Sequence, residues 1–236
     1  MTATVVLVHG AWHGAWCWDP VVALLSAADV PVQAIDLPGH GTSALPLTDL
    51  HGHGDAVRAT LDAITGPVVL VGHSYGGAAI TDAGTHPAVR HLVYITAFCL
   101  DAHESIITND LAGGEHAELA TVIEFGADGT ITVDPARAGD IFYADCDPAA
   151  IPGYVARLVP EGADGFSQTP RSVAWWERPS TYVVCTEDRA LGPELQRNLA
   201  ARCATTVEWP TSHSPFFSRP ELVTDLLARL AHETDS

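Results

Sequence analysis

The chain has 236 residues, of which 47% are hydrophobic and 17% charged, and its formal net charge is −18. This length and apolar content exclude an intrinsically disordered chain and allow one large domain with a full core. The acidic charge argues against nucleic acid and anionic membranes as partners, because both attract basic surfaces.

The apolar runs and the cysteines indicate in which cellular compartment the protein is expected. The longest apolar runs are far shorter than the roughly 20 residues that cross a bilayer. The opening MTATVVLVHG has no basic segment before its apolar run, so we expect no secretory signal and no membrane partner. Five cysteines without CxxC spacing favour reduced thiols and a cytoplasmic location over a disulfide framework.

Short apolar runs alternate with helical segments along much of the chain. Continuous apolar runs are typical of strands covered on both faces, and strand–helix alternation is typical of a parallel sheet. The sequence therefore predicts an α/β fold with about six strands in a mainly parallel sheet flanked by helices. The predicted strands are residues 4–8, 32–35, 68–71, 91–96, 181–185 and 206–209, and helices are expected at 16–28, up to about 64, behind residue 74 and at 220–230.

Residues 100–179 break this rhythm. The segment is richer in Asp, Ala, Gly and Pro, has weak strand signals, and is too long for a structureless loop. We predict a mostly helical lid inserted after the fourth strand, with the core formed by residues 1–99 and 180–236. The sequence carries no signal for an oligomeric state.

The pentapeptide GHSYG at residues 72–76 satisfies the G-x-S-x-G pattern. It follows an apolar strand and opens a segment of small residues, which is the setting of a nucleophile at a sharp strand-to-helix turn. Glycine is needed two positions away on each side, because the turn strains the backbone and packs its neighbours closely. Ser74 is therefore the predicted nucleophile, and the alternative is an idle serine in a Gly-rich turn.

A nucleophilic serine needs a histidine base and an acid that orients the base. In folds of this class the expected chain order is serine, acid, histidine, each at the carboxyl end of a strand. His213 follows the last predicted strand and is the predicted base, with His232 in the polar tail as the alternative. Asp188 follows the fifth strand and is the predicted acid, with Glu187 and Asp101 as competitors.

The third requirement is a pair of N–H donors for the negative charge that develops on the substrate oxygen. Tyr75, directly after the nucleophile, is expected to supply one, and Ala11 in the loop HGAW after the first strand the other. Gly10 lets the backbone turn close to the site and leaves room for an ester carbonyl, and Trp12 has the best claim to the substrate pocket. A tight turn without a catalytic role is the alternative for this loop.

Together, VLVHGAWHGAWCW, GHSYGG, VVCTEDRAL and the late histidine loop resemble the α/β-hydrolase superfamily. Within it they look most like the compact branch of plant methylesterases, hydroxynitrile lyases and related bacterial esterases. The resemblance covers most of the chain outside the lid. It implies a triad of Ser74, Asp188 and His213, an oxyanion hole formed by Ala11 and Tyr75, and no metal or organic cofactor.

Two departures from the lyases bear on the activity. The lyases have a threonine after the first strand and a lysine after the base histidine, where this chain has Gly10 and Ser214. Cleaving a cyanohydrin requires a cation for the departing cyanide, so we predict a hydrolase of small to medium hydrophobic carboxylic esters. The alternatives are a cofactor-free lyase or perhydrolase on the same triad, and a ligand receptor with little turnover.

His51 and His53 resemble a metal-binding pair. Alternate residues of a helix point in different directions, however, and no cysteine or carboxylate cluster in the sequence completes a site. Both histidines are expected on a solvated helix surface, and no metal site is predicted. The Gly-x-Gly fragments lack the spacing of a dinucleotide site.

Overall fold

The structure is a computed structural model that describes residues 2–112 and 118–233. In chain order its strands are β1 (Thr4–Val8), β2 (Val32–Ile35), β3 (Val68–Ser74), β4 (Val89–Ala97), β5 (Ile123–Phe125), β6 (Thr130–Val133), β7 (Glu161–Gly162), β8 (Ser180–Cys185) and β9 (Thr205–Trp209). Six of them form the central sheet in the order β2-β1-β3-β4-β8-β9, and every neighbouring pair is parallel. The predicted six-stranded parallel sheet is confirmed.

Helices of varied length connect these strands. They are α1 (Asp19–Ala27), α2 (Leu50–Asp62), α3 (Gly76–Ala83), α4 (Ile106–Ala112), α5 (Pro135–Phe142), α6 (Ile151–Val155), α7 (Asp164–Ser167), α8 (Pro193–Ala200), α9 (Pro215–Ser218) and α10 (Pro220–Glu233). Within the described residues, every helix is too short or too polar to cross a bilayer.

The central sheet separates two apolar layers. Successive strand residues point to opposite sides, so Val6 and Leu70 lie in one layer while Leu7 and Val71 lie in the other. Helices α2, α3 and α8 bury their apolar residues in the first layer, and α1 and α10 in the second. Because both faces are covered, the strands contain continuous apolar runs rather than alternating ones.

The lid lies between β4 and β8 and combines helices α4 to α7 with a small antiparallel sheet in the order β5-β6-β7. This second sheet was not predicted. Its strands are only two to four residues long, which is too short for a period of two to be recognised in the sequence. The boundaries predicted for the lid and the core stay a prediction.

Candidate active site

The turn at the end of β3 has the geometry expected from the glycine-serine motif. Ser74 is the last residue of the strand and has a φ of +51°, a left-handed conformation that is unfavourable for any residue with a side chain. A Cβ on Gly72 would lie 2.6 Å from the carbonyl oxygen of Gly76, and one on Gly76 would lie 2.5 Å from that of His9. The close backbone contacts therefore require both glycines, and helix α3 begins immediately after the turn.

The loops after β8 and β9 bring an acid and a histidine together. His213 Nδ1 donates to Asp188 Oδ2 at 2.7 Å, and both side chains are buried. In the described residues, neither Glu187 nor Asp101 is hydrogen-bonded to His213, and His232 is exposed near the end of α10. Of the three candidate acids, the structure thus joins Asp188 to the histidine.

Four further donors fix the Asp188 carboxylate. The Thr96 hydroxyl and the Gln196 amide donate to Oδ2, while the N–H groups of Ala190 and Leu191 donate to Oδ1 at 2.7 and 3.0 Å. This set holds the carboxylate in one orientation toward the imidazole. Thr96 and Gln196 could not be predicted from the sequence, because a threonine near the end of a strand and a glutamine in a helix carry no distinguishing pattern.

His73 connects the nucleophile turn to the histidine loop. Its Nε2 donates to the backbone carbonyl of His213 at 2.8 Å, and the two rings lie 4.6 Å apart. Burial lowers the pKa of His73 well below its usual value, so the ring is neutral with its proton on Nε2. In the described part of the chain, Ser74 Oγ has no hydrogen bond to His213, and such contacts often tighten only when substrate binds.

Two backbone N–H groups next to the nucleophile turn have no acceptor in the described protein. Among the described residues, the N–H groups of Ala11 and Tyr75 donate to no protein acceptor, although both residues are at least 97% buried, with 3% and 1% of their surface exposed. A Cβ on Gly10 would lie 2.9 Å from the Ser74 Cβ, so this loop touches the nucleophile. Buried N–H groups without an acceptor are unfavourable unless a ligand accepts their hydrogen bonds, and this pair is suited to an oxyanion.

His9 fixes the peptide that carries the first of these donors. The N–H of Leu37 donates to His9 Nε2 at 3.0 Å, so the ring proton lies on Nδ1, which donates to the Gly10 carbonyl at 2.8 Å. Burial, with a smaller effect from His40, lowers the pKa of His9 and keeps the ring neutral. The hydrogen bond polarises the Gly10–Ala11 peptide and strengthens its N–H as a donor.

Aromatic rings form a wall between the core and the lid beside these donors. The Trp12 ring lies 5.8 Å from that of Phe142 and 5.9 Å from that of Phe166, and Phe142 lies 5.6 Å from the ring of His213. Trp12 also borders a cavity of about 170 Å³, whose other lining residues are Thr132, Val133, Pro135, Val155, Leu158, Val159 and Pro160. A role of Trp12 and Gly10 in substrate binding stays a prediction.

The sequence pattern of the alpha/beta hydrolase family matches residues 5–226. The chain belongs to the alpha/beta hydrolase family. Methylesterase 1 of Arabidopsis thaliana is 27% identical over 268 residues, covering 96% of this chain and 95% of that protein. The pyrethroid hydrolase of Sphingobium wenxiniae is 26% identical over 248 residues, covering 98% and 89%. A crystal structure of a pyrethroid hydrolase from Sphingobium faniae has a TM-score of 0.87 at 26% identity, covering 98% of both chains.

These likenesses confirm the predicted superfamily and its methylesterase branch. The match to the family spans both sides of the lid, as the quoted motifs do. The six strands of the central sheet and the turn at Ser74 are therefore those of an alpha/beta hydrolase.

One sequence-based expectation for this alpha/beta hydrolase is wrong. His53 does not lie on a solvated helix surface but is fully buried. The reason is the helical period, because residues 50, 53, 54, 57 and 61 form the core-facing stripe of α2. His51 lies off that stripe, is half-buried, and bonds through Nε2 to the Thr169 carbonyl at 2.9 Å.

Burial brings His53 into a cluster with His40 and Glu161, whose ligand-type atoms lie within 4.8 Å of one another. His53 Nδ1 contacts the Tyr75 hydroxyl at 2.8 Å and Nε2 the Pro38 carbonyl at 3.2 Å, which accounts for both of its nitrogens. His40 Nε2 lies 3.0 Å from Glu161 Oε2, off the ideal hydrogen-bond direction but within charge contact. The cluster links the lid to the residues behind Tyr75, and the expected lack of a metal stays a prediction.

The charge pair predicts a pH-dependent contribution to stability. Burial alone lowers the pKa of His40, but the adjacent Glu161 carboxylate outweighs this effect and the net shift is upward. Stabilisation is therefore complete below the unfolded pKa of about 6.5 and is lost as pH rises through the folded pKa. Glu161→Gln is expected to lower the free energy of unfolding by about 1.5–3 kcal/mol near pH 6.

Urea unfolding at a series of pH values measures this contribution. The difference between wild type and Glu161→Gln should shrink as pH rises, whereas the exposed change Glu177→Gln should give a small difference at every pH. A difference for Glu161→Gln that grew with pH would contradict the assigned pair.

Proposed function

We propose that this alpha/beta hydrolase is an esterase-type enzyme that cleaves carboxylic esters of small to medium hydrophobic substrates. The observation that carries the proposal is the 2.7 Å hydrogen bond between His213 and Asp188, beside the strained turn that ends at Ser74. The relatives named methylesterase and pyrethroid hydrolase support the same class of reaction.

In the proposed mechanism, Ser74 Oγ attacks the ester carbonyl carbon while His213 Nε2 takes its proton. Asp188 accepts the Nδ1–H, holds the imidazole in the required tautomer and stabilises the imidazolium. The negative oxygen of the tetrahedral intermediate accepts hydrogen bonds from the N–H groups of Ala11 and Tyr75. The alcohol leaves with the proton from His213, and water then attacks the acyl-enzyme to free the acid.

Apolar surroundings support the proposed substrate class. Next to the cavity at Trp12 the lid carries a groove of about 720 Å³, and Pro135, Val155 and Leu158 line both spaces. Apolar pockets of this size with few polar groups suit the hydrophobic part of a small ligand. We infer that the acyl or alcohol group lies against this side of the site.

Residues at the site disfavour lyase chemistry. The chain contains no lysine, and Ser214 follows the histidine. A threonine in place of Gly10 would bring its Cβ within 2.9 Å of the Ser74 side chain in this backbone. A cation for departing cyanide and the threonine of the lyases are thus both missing from these positions.

We further propose a cytoplasmic location. Its support is that the five cysteines are free thiols in the structure. Reduced cysteines are typical of cytoplasmic proteins.

Two measurements on the purified protein test the proposed function. A fluorophosphonate probe should label Ser74 at one equivalent per chain, located by peptide mass, because the reagent needs an activated serine. The protein should also hydrolyse a panel of methyl, aryl and longer alkyl esters, with acid and alcohol as products. A receptor would bind esters without turnover, and a protein that neither hydrolyses the panel nor reacts with the probe would contradict the proposal.

A further inference from the structure

Trp12 has a backbone conformation that something must hold in place. Its φ is +63°, a left-handed value that is a genuine outlier for a bulky residue. Two hydrogen bonds from the lid fix it: the indole Nε1–H donates to the Ile131 carbonyl at 2.8 Å, and the Val159 N–H donates to the Trp12 carbonyl at 2.9 Å. Strained conformations of this kind persist only where the surrounding structure determines them.

His13 adds a third connection to the lid. Its Nδ1–H donates to the Ala11 carbonyl at 2.8 Å, and its Nε2 accepts from the Tyr143 hydroxyl at 2.8 Å. Burial, partly offset by the hydrogen bond to Ala11, lowers the pKa of His13 to about 4, so the ring is neutral. Its single proton lies on Nδ1 because a carbonyl only accepts, and Nε2 is then free to receive the Tyr143 proton.

We propose that Trp12, His13 and Tyr143 are positioning residues through which the lid holds the oxyanion loop, residues 9–13, in its productive conformation. From the core side, His9 anchors the Gly10 carbonyl. From the lid side, the three hydrogen bonds anchor the two residues that follow Ala11. The Ala11 N–H thus lies between fixed points supplied by two parts of the chain.

The lid thus positions the oxyanion loop as well as covering the substrate. If the lid moves away from the core, the loop loses the contacts that stabilise its strained conformation, and the Ala11 donor loses its alignment. The oxyanion hole is therefore complete only when the lid is in contact with the core. The inference rests on the proposed function, because it concerns a donor used in ester hydrolysis.

Trp12→Phe and Tyr143→Phe test the inference, since each removes one hydrogen-bonding group and keeps an aromatic ring. Loss of an oxyanion donor lowers kcat by about 10²–10³-fold, so partial misalignment is expected to lower kcat about 10-fold in each variant. KM for the same ester is expected to change by less than about threefold, because the donor acts mainly in the transition state. The double variant tests whether both residues act on one donor.

The affinity of a trifluoromethyl ketone distinguishes a positioning role from a purely structural one, because a purely structural role would leave this affinity unchanged. The ketone forms a tetrahedral adduct with a nucleophilic serine, and its oxygen occupies the oxyanion site. Its affinity should fall in parallel with kcat/KM in Trp12→Phe and Tyr143→Phe, because it resembles the transition state. The affinity of the corresponding secondary alcohol, which places no negative oxygen there, should stay unchanged.

Matched controls come from the lid itself. Trp176 is 60% exposed. The Tyr154 ring lies 5.4 Å from that of Tyr143, but its hydroxyl makes no hydrogen bond among the described residues. Trp176→Phe and Tyr154→Phe repeat the same chemical changes without removing a hydrogen bond to the oxyanion loop and should leave kcat and ketone affinity as in wild type.

The outcomes separate the inference from the proposed function. If Trp12→Phe and Tyr143→Phe lower only the melting temperature, or raise only KM, with ketone affinity unchanged, the positioning role is overturned while ester hydrolysis stands. If wild type hydrolyses no ester and forms no ketone adduct, the proposed function itself fails. Parallel losses of kcat and ketone affinity in both variants, absent from the two controls, support the inference.

Discussion

Ser74→Ala is expected to lower kcat for an aryl ester by about 10⁶-fold, with the protein folded and the ester still bound. The change removes the only atom that forms the acyl-enzyme in the proposed mechanism. It also leaves the hydrogen-bonded pair of His213 and Asp188 without a role in the first step, because the base then has no hydroxyl proton to accept. Residual catalysis over water should come from the oxyanion hole and binding alone.

Stopped-flow and steady-state assays of the aryl ester measure this effect, with fluorophosphonate labelling as a second readout. Ser214→Ala is the matched control, because this neighbouring hydroxyl is buried and has no hydrogen-bond partner among the described residues. It should change kcat by less than about threefold. Retention of most activity by Ser74→Ala would remove Ser74 from the role of nucleophile.

The parts of this molecule that could be predicted from sequence are those encoded locally. Five-residue apolar runs define strands covered on both faces, and the glycine-serine motif requires its own turn within five residues. The end of β3 shows where the apolar signal stops. The strand was predicted to end at residue 71 but continues to Ser74. Its last three residues, GHS, form the turn and do not continue the apolar run, so the apolar pattern stops before the strand does.

The contacts that assemble the site could not be predicted, because they join residues far apart in the chain. His13 and Tyr143 are separated by 130 positions, and Ser212 beside the histidine loop bonds to Asp145 in the lid across 67 positions. No spacing rule relates such pairs. The lid supplies several of these partners, and it is also the part of the chain whose elements are shortest and least regular.

The burial of His53, by contrast, is encoded locally. Leu50, Val57 and Leu61 share a helical stripe with His53, and the 3.6-residue period of the whole helix places this histidine in the core. The pair His51 and His53 taken alone does not contain that pattern. The buried partner Glu161, however, comes from the lid and was outside the reach of any local argument.

Asp188→Asn is expected to lower kcat by about 10⁴-fold while preserving the fold, and the hydrogen bonds around the carboxylate give the reason. The backbone N–H groups of Ala190 and Leu191 cannot turn away from Oδ1, whereas at Oδ2 the Thr96 hydroxyl can rotate and the Gln196 contact is long at 3.3 Å. The asparagine oxygen therefore takes the place of Oδ1. The NH₂ group then occupies the position of Oδ2 and donates to Nδ1 of His213. This forces the imidazole proton onto Nε2, and the protonated Nε2 cannot accept the proton of Ser74.

Nitrogen-15 NMR of the histidines reads the tautomer directly, and kcat for the aryl ester reads its consequence. In wild type the proton should lie on Nδ1 of His213, and in Asp188→Asn on Nε2. Asp101→Asn and Glu187→Gln are the matched controls, since both competitors lack a hydrogen bond to His213 in the described structure. If Asp101→Asn lowers kcat more than Asp188→Asn does, the acid belongs at the end of β4, and the contact at 2.7 Å has only a structural role.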